Sequence, residues 1–79
     1  MPRYFFHIHD GACYIDEDGI ELPNLSAARR MATETAGAML SDDPGQLWDG
    51  HPWRMVVTLR QEVICFVLRF SVEPAPVGI

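Results

Sequence analysis

The sequence predicts an α+β fold of order ββαββ, in which two antiparallel hairpins form one sheet and a single helix packs on one face of it. Three observations carry this prediction: a strong turn signal at Asp10-Gly11, one helix-spaced apolar run after Pro23, and apolar alternation in the last third of the chain. The length of 79 residues suits one domain. We expect residues 1–73 to form it and residues 74–79, rich in Pro and Gly, to be a flexible C-terminal tail.

The first hairpin is predicted from the aromatic and β-prone segment 3–9, which ends at Asp10-Gly11. Asp-Gly favours a two-residue type I′ turn, and such a turn would pair Ile8 with Cys13. Cys13 is then expected on the core face. The opposite face would carry Phe5, His7, His9 and Tyr14.

One helix is predicted over residues 25–40. Pro23-Asn24 supplies a breaker and an N-cap, and apolar or small residues then recur at spacings of three and four as far as Met39. Residues 41–52 are rich in Pro, Gly and Asp, a composition typical of a loop. We expect this loop to be ordered if Trp48 and Trp53 find a pocket.

The second hairpin is predicted from its pairing pattern. A turn at Gln61-Glu62 makes every pair on one face apolar, and a slip of one residue would misalign both faces. A longer loop is the open alternative, because Gln-Glu is a weak turn. The pairs are Trp53 with Phe70, Met55 with Leu68, Val57 with Phe66 and Leu59 with Ile64 on one face, and Arg54 with Arg69, Val56 with Val67, Thr58 with Cys65 and Arg60 with Val63 on the other.

A single helix can cover only one face of this sheet. The uncovered face would present a contiguous apolar patch, and a chain of this length can bury only about 63% of its surface. Both observations predict a homodimer, formed through the uncovered face or through an exposed strand edge. The candidate interface residues are Phe5, Tyr14, Val56, Cys65 and Val67.

Arg54 and Arg69 are expected side by side across the second hairpin. Like charges in that position repel one another unless an anion or an acid joins them. We expect Glu73 or an acid from a partner chain to neutralise them, with phosphate or nucleic-acid contact as the alternative. The net charge of −5 opposes nucleic-acid binding.

The sequence assigns no catalytic, cofactor-binding or metal-binding residues. His7 and His9 share one face of a strand, but a site would need a third ligand from His51 or Cys65, which sequence spacing does not place. The acidic run 16–19 lacks the Gly and the final Glu of a calcium loop. No nucleotide motif or nucleophile elbow is present. A non-enzymatic protein without a cofactor is therefore expected.

The chain is expected to be soluble and cytoplasmic, without a membrane partner. Its two cysteines are too few for a disulfide scaffold, and no secretory signal is recognisable. The longest apolar run, residues 63–68, is far shorter than a membrane span.

The segments Met1–His7, Asp18–Pro23 and Ala27–Arg29 resemble a family of small bacterial proteins of unknown function that begin M-P-R-Y-F-F-H and carry a G-I-E-L-P segment before the helix. This resemblance implies the fold and a bacterial origin, and no site.

More weakly, Leu22–Leu25 and the Ala-rich helix resemble the HicB-type antitoxin domain, which implies a small basic protein as partner. The expected function is a homo-oligomeric interaction module, with the antitoxin-like domain as the alternative.

Overall fold

The computed structural model describes residues 1–60 and 63–75. It confirms the predicted α+β class, with one helix and an antiparallel sheet. The elements in chain order are β1 (Arg3–His9), β2 (Cys13–Tyr14), β3 (Ile20–Glu21), α1 (Leu25–Asp42), a 3-10 helix (Gln46–Asp49), β4 (Trp53–Leu59) and β5 (Val63–Phe70).

The strand order is β2-β1-β4-β5, and β3 also pairs with β1. Strands β1 and β4 are therefore central. The short strands β2 and β3 follow one another along the free side of β1, and β5 forms the other edge of the sheet. The sequence did not determine this order, because it depends on which strands meet after the chain returns through α1.

The helix begins where the sequence predicts. The side chain of Asn24 accepts a hydrogen bond from Ala27 N at 2.9 Å, which satisfies one of the free N–H groups of the first turn. On its inner side α1 buries three alanines, Ala28, Ala32 and Ala36. Their small size lets the helix lie close to the sheet.

The core lies between this alanine stripe and the middle of the sheet. Its largest fully buried side chains, Trp53, Met55 and Val57, all come from β4. The Trp53 ring packs against Phe70 with ring centroids 5.6 Å apart and planes at 60°. Tyr4 and Ile8 of β1 complete the buried cluster.

The predicted register of the second hairpin is confirmed from Trp53–Phe70 to Val57–Phe66. Closer to the turn a β-bulge shifts the register by one, so that Thr58 pairs with Ile64 and Leu59 with Val63. Cys65 is the residue left over. The predicted Thr58–Cys65, Leu59–Ile64 and Arg60–Val63 pairs are therefore wrong. The proposed Gln61-Glu62 turn lies outside the described residues.

The predicted register of the first hairpin is wrong by one residue. Ile8 pairs with Tyr14 and His9 with Cys13, because the connection contains three residues rather than two. Asp10 N donates to Ala12 O inside this loop, and Gly11 has a φ of 101°. The slip moves Tyr14 to the helix side of the sheet and Cys13 to the opposite side.

The two tryptophans of the loop region have different environments. Trp53 begins β4 and is fully buried, whereas Trp48 lies in the 3-10 helix with 74% of its surface exposed.

Beyond β5, residues 71–75 are exposed, and the rest of the predicted tail lies outside the described residues. The domain boundary at residue 73 stays a prediction.

Candidate functional site

The face of the sheet opposite α1, here called the open face, is partly covered by the chain itself. Between β2 and β3 the chain leaves the edge of β1, and Asp16 fills the interruption. Its Oδ2 accepts a hydrogen bond from Phe6 N at 3.1 Å, while its Oδ1 accepts from Asp18 N and Gly19 N at 3.1 and 3.0 Å. The carboxylate therefore replaces a missing strand partner and closes a turn at the same time.

The ionised state of Asp16 is favoured by these contacts. Burial on its own would raise the pKa of the carboxyl, but the hydrogen bonds from the N–H groups of Gly19, Phe6 and Asp18 outweigh burial and hold its pKa below 3.8. The acidic turn thus has a structural role at the β2–β3 edge.

His7 is buried on the open face, and both ring nitrogens have partners. Nδ1 accepts from Asp16 N at 3.1 Å, and Nε2 lies 3.1 Å from Thr58 Oγ1. Because the Asp16 N–H can only donate, the ring proton lies on Nε2 and is donated to Thr58. His7 cannot bind a metal ion without losing one of these bonds.

Phe5 lies under the same turn. Its ring stacks on His7 with ring centroids 6.4 Å apart, and a Cβ placed on Gly19 would come within 2.7 Å of the Phe5 ring. The Gly19 backbone therefore packs directly on this aromatic side chain. Phe5, a predicted interface residue, is half-buried within its own chain.

The other predicted interface residues are divided between the two sides of the sheet. Val56 and Val67 are on the open face as predicted, and Val67 is 40% exposed. Tyr14 is on the helix side because of the three-residue loop, and the bulge turns Cys65 toward the core cluster. Ile64 takes the place beside Thr58, and together with Ile15 it borders a concavity of about 300 Å³ above His7.

The more exposed apolar feature is the β5 edge, defined as strand Val63–Phe70 with its free hydrogen-bonding side. Within the described residues β5 pairs only with β4. Its eight residues include one charge, Arg69, and no proline. Four side chains on the two faces of this strand, Val63, Ile64, Val67 and Phe70, are between 37% and 63% exposed.

The opposite edge of the sheet is protected. Strands β2 and β3 have two residues each, the acidic turn lies between them, and Asp16 occupies the N–H of Phe6. Short strands and charged side chains are the usual means of preventing edge-to-edge pairing. The contrast makes the β5 edge the candidate interaction site of the molecule.

A second feature, here called the arginine row, crosses the open face near the start of β4. His9 pairs with Arg54, and Arg54 with Arg69, which confirms the predicted juxtaposition of the two arginines. In the described part of the chain neither arginine makes an ion pair; the salt bridges join Arg3 to Glu21 and Arg30 to Glu34. Glu73, predicted to neutralise them, is exposed and not among these pairs.

Two further side chains lie beside the arginine row. The Sγ of Cys13 is 3.9 Å from His9 Nε2. On the other side, the His51 ring packs on Gly11, since a Cβ at Gly11 would be 3.1 Å from His51 Cγ. Residues 1–60 and 63–75 hold no group of three His, Cys, Asp or Glu side chains arranged to bind a metal ion. Sequence reasoning missed the His9–Cys13 contact because it depends on the loop length.

None of the described helices has the length and apolar character needed to span a bilayer.

Comparison with known proteins identifies the family of the chain. Neither the curated proteins nor the solved structures yield a match. A family model, described as a domain of unknown function, matches residues 3–71 and so covers all five strands and the helix. The chain therefore belongs to the DUF6894 family, which confirms the expected membership of a family of uncharacterised proteins.

Proposed function

We propose that this chain is a non-enzymatic interaction module that pairs with a second copy of itself through the β5 edge. The observation that carries the proposal is the unprotected edge strand, which is eight residues long and, apart from Arg69, apolar on both faces. Such an edge offers a row of free N–H and C=O groups together with apolar side chains, which is the surface that strand addition uses.

A second copy suits this edge because an antiparallel strand pair can be its own symmetric partner. A two-fold axis perpendicular to the sheet would join the β5 edges into one continuous sheet and place both helices on the same side. Phe66 and Leu68 face the core but are only half-buried, since β5 extends beyond the cover of α1. Their exposed parts would lie in the groove between the two helices.

The test is the mass of the protein by light scattering over a dilution series. We expect the wild type to be a dimer and Val67→Glu to weaken dimerisation by at least about tenfold, because the symmetric pairing brings the two new charges together. The control is Ile15→Glu, which adds the same charge on the open face at the far edge of the sheet.

Three results are informative. Dissociation by Val67→Glu but not by Ile15→Glu supports an interface on the β5 side of the sheet. Dissociation by Ile15→Glu would assign the interface to the open face instead. A wild-type monomer at all concentrations would overturn the proposal.

The alternative function is the antitoxin-like one, in which this chain binds a small basic protein. The net charge of −5 favours it, because an acidic surface attracts a basic partner. It predicts a monomer that forms a one-to-one complex with a basic protein. The same dilution series separates the two functions.

A bacterial, cytoplasmic location is part of the proposal. It is supported by the two thiols, of which Cys13 is exposed and Cys65 half-buried and neither forms a disulfide.

A further inference from the structure

We infer that the arginine row is a binding site for a phosphate oxyanion, formed on the open face by strands β1, β4 and β5. His9, Gly11, Pro52, Arg54 and Arg69 line an open concavity of about 330 Å³. A phosphate group fits this volume with space for part of an attached molecule.

The first argument is the register of the sheet. Arg54 lies between His9 on one side and Arg69 on the other, each a direct cross-strand neighbour. Directly paired side chains on one face start about 5 Å apart, so both guanidinium groups can reach one ligand. Planar guanidinium forks donate paired hydrogen bonds to phosphate oxygens, which makes two converging arginines a suitable donor set.

The second argument is the local charge. The protein carries five excess negative charges, but the described residues provide no acid partner for this pair. The nearby Asp10 borders a different concavity, together with Ile8 and Met39 of the helix side. The repulsion between the two arginines is therefore uncompensated, and a bound dianion would relieve it.

The third argument is the shape of the surroundings. Gly11 and Pro52 provide low walls beside the arginines, and the His51 ring rests on Gly11. Pro52 and His51 also line a neighbouring concavity that contains the exposed Trp48. An aromatic phosphate ester could thus place its phosphate on the arginine row and its ring beside Trp48, whereas free phosphate would use the row alone.

The experiment is an NMR titration of the ¹⁵N-labelled full chain with inorganic phosphate and, separately, with phenyl phosphate, each against sodium chloride at matched ionic strength. We expect phosphate to shift the backbone signals of His9, Arg54 and Arg69. Arg54→Gln should weaken binding at least about tenfold, since one charged donor pair is lost.

The matched control is Arg29→Gln, which removes the same charge from the exposed surface of α1. It should leave the affinity unchanged within about twofold, because α1 packs on the other face of the sheet and salt screens an exposed charge there. Tighter binding of phenyl phosphate that is lost in Trp48→Ala would identify an ester as the ligand. Equal binding of both probes would identify the free anion.

Several results would overturn the inference. One is that phosphate shifts no backbone signals, or shifts them no more than sodium chloride does. Another is that Arg54→Gln and Arg29→Gln reduce the affinity for phosphate equally. A change of mass in Arg54→Gln without loss of phosphate binding would assign Arg54 to the dimer interface instead. Because Arg54 is on the central strand β4, an intact dimer with no phosphate binding would reject this site and leave the β5 proposal standing.

Discussion

At the scale of single residues, Asp16 shows how one side chain can replace a segment of secondary structure. Its carboxylate accepts three backbone hydrogen bonds, one from β1 and two from its own turn. Its backbone N–H also fixes the His7 ring. The sequence predicts nothing more for Asp16 than a place among several acidic residues in a solvated turn. Its role arises because the strand partners of β1 are interrupted beside it.

Asp16→Asn is expected to destabilise the fold by about 2 kcal/mol at pH 7, because the amide has one acceptor oxygen and turns an N–H donor toward another donor. The wild-type carboxyl has a pKa below its ordinary value of 3.8, so the folded state binds fewer protons than the unfolded state in that range. Its contribution is complete above pH 3.8 and is lost as the pH falls through the lower, folded value.

Urea unfolding at several pH values measures this effect. The difference between wild type and Asp16→Asn should be largest at neutral pH and shrink below pH 3.8. A constant difference across the acid range would show that the carboxylate charge has no part in it.

At the scale of elements, the two hairpins differ in how well their sequences specify them. The second hairpin has a long row of apolar pairs, and five of its eight predicted pairs hold. The first has a two-residue return strand, so the length of the loop decides its register. One extra loop residue then exchanges the faces of Tyr14 and Cys13.

Substitution of two glycines by alanine provides a matched test of two elements, the acidic turn before β3 and the helix α1. Gly19 has a φ of 67° and lies against Phe5, whereas Gly37 is inside α1 with free space around it. Gly19→Ala is expected to destabilise the protein by about 2 kcal/mol through backbone strain and collision with the ring. Gly37→Ala should stabilise it by about 0.5 to 1 kcal/mol, since alanine favours the helix. Thermal and urea unfolding of both variants measure these changes, and a tolerated Gly19→Ala would contradict the packing of the turn on Phe5.

At the scale of the whole molecule, the helix covers the centre of the sheet, and the two edges of the sheet differ in how well they are protected from pairing with another strand. The β2–β3 edge is short, acidic and capped by Asp16. The β5 edge is long and largely apolar, and among the residues that the structure describes it pairs on one side only. This asymmetry is the reason that the proposed pairing uses the β5 edge and not the β2–β3 edge.

If the β5 edge pairs with a second copy, stability must depend on protein concentration. We expect the Tm of the wild type to rise with concentration, because dimerisation stabilises the folded state by mass action. Val67→Glu should abolish this dependence, while Ile15→Glu keeps it. Calorimetry over a hundredfold range of concentration provides the measurement, and a constant wild-type Tm would contradict self-association.

The sequence by itself determined the fold class, the start of the helix at Asn24, and the register of β4 against β5 for most of their length. These features depend on local capping and on side-chain periodicity, which are properties of neighbouring residues. The juxtaposition of Arg54 and Arg69 followed from the same periodicity.

Only the tertiary structure decided the strand order, the three-residue loop, the bulge at Cys65, and the folding of residues 15–19 over Phe5 and His7. Each depends on contacts between segments distant in sequence or on the insertion of one unpaired residue. The spacing of apolar residues along the sequence predicts neither. The sequence left the open face and a strand edge as alternative interfaces, and the fold favours the β5 edge in our proposal because it determines which part of the apolar surface the chain covers itself.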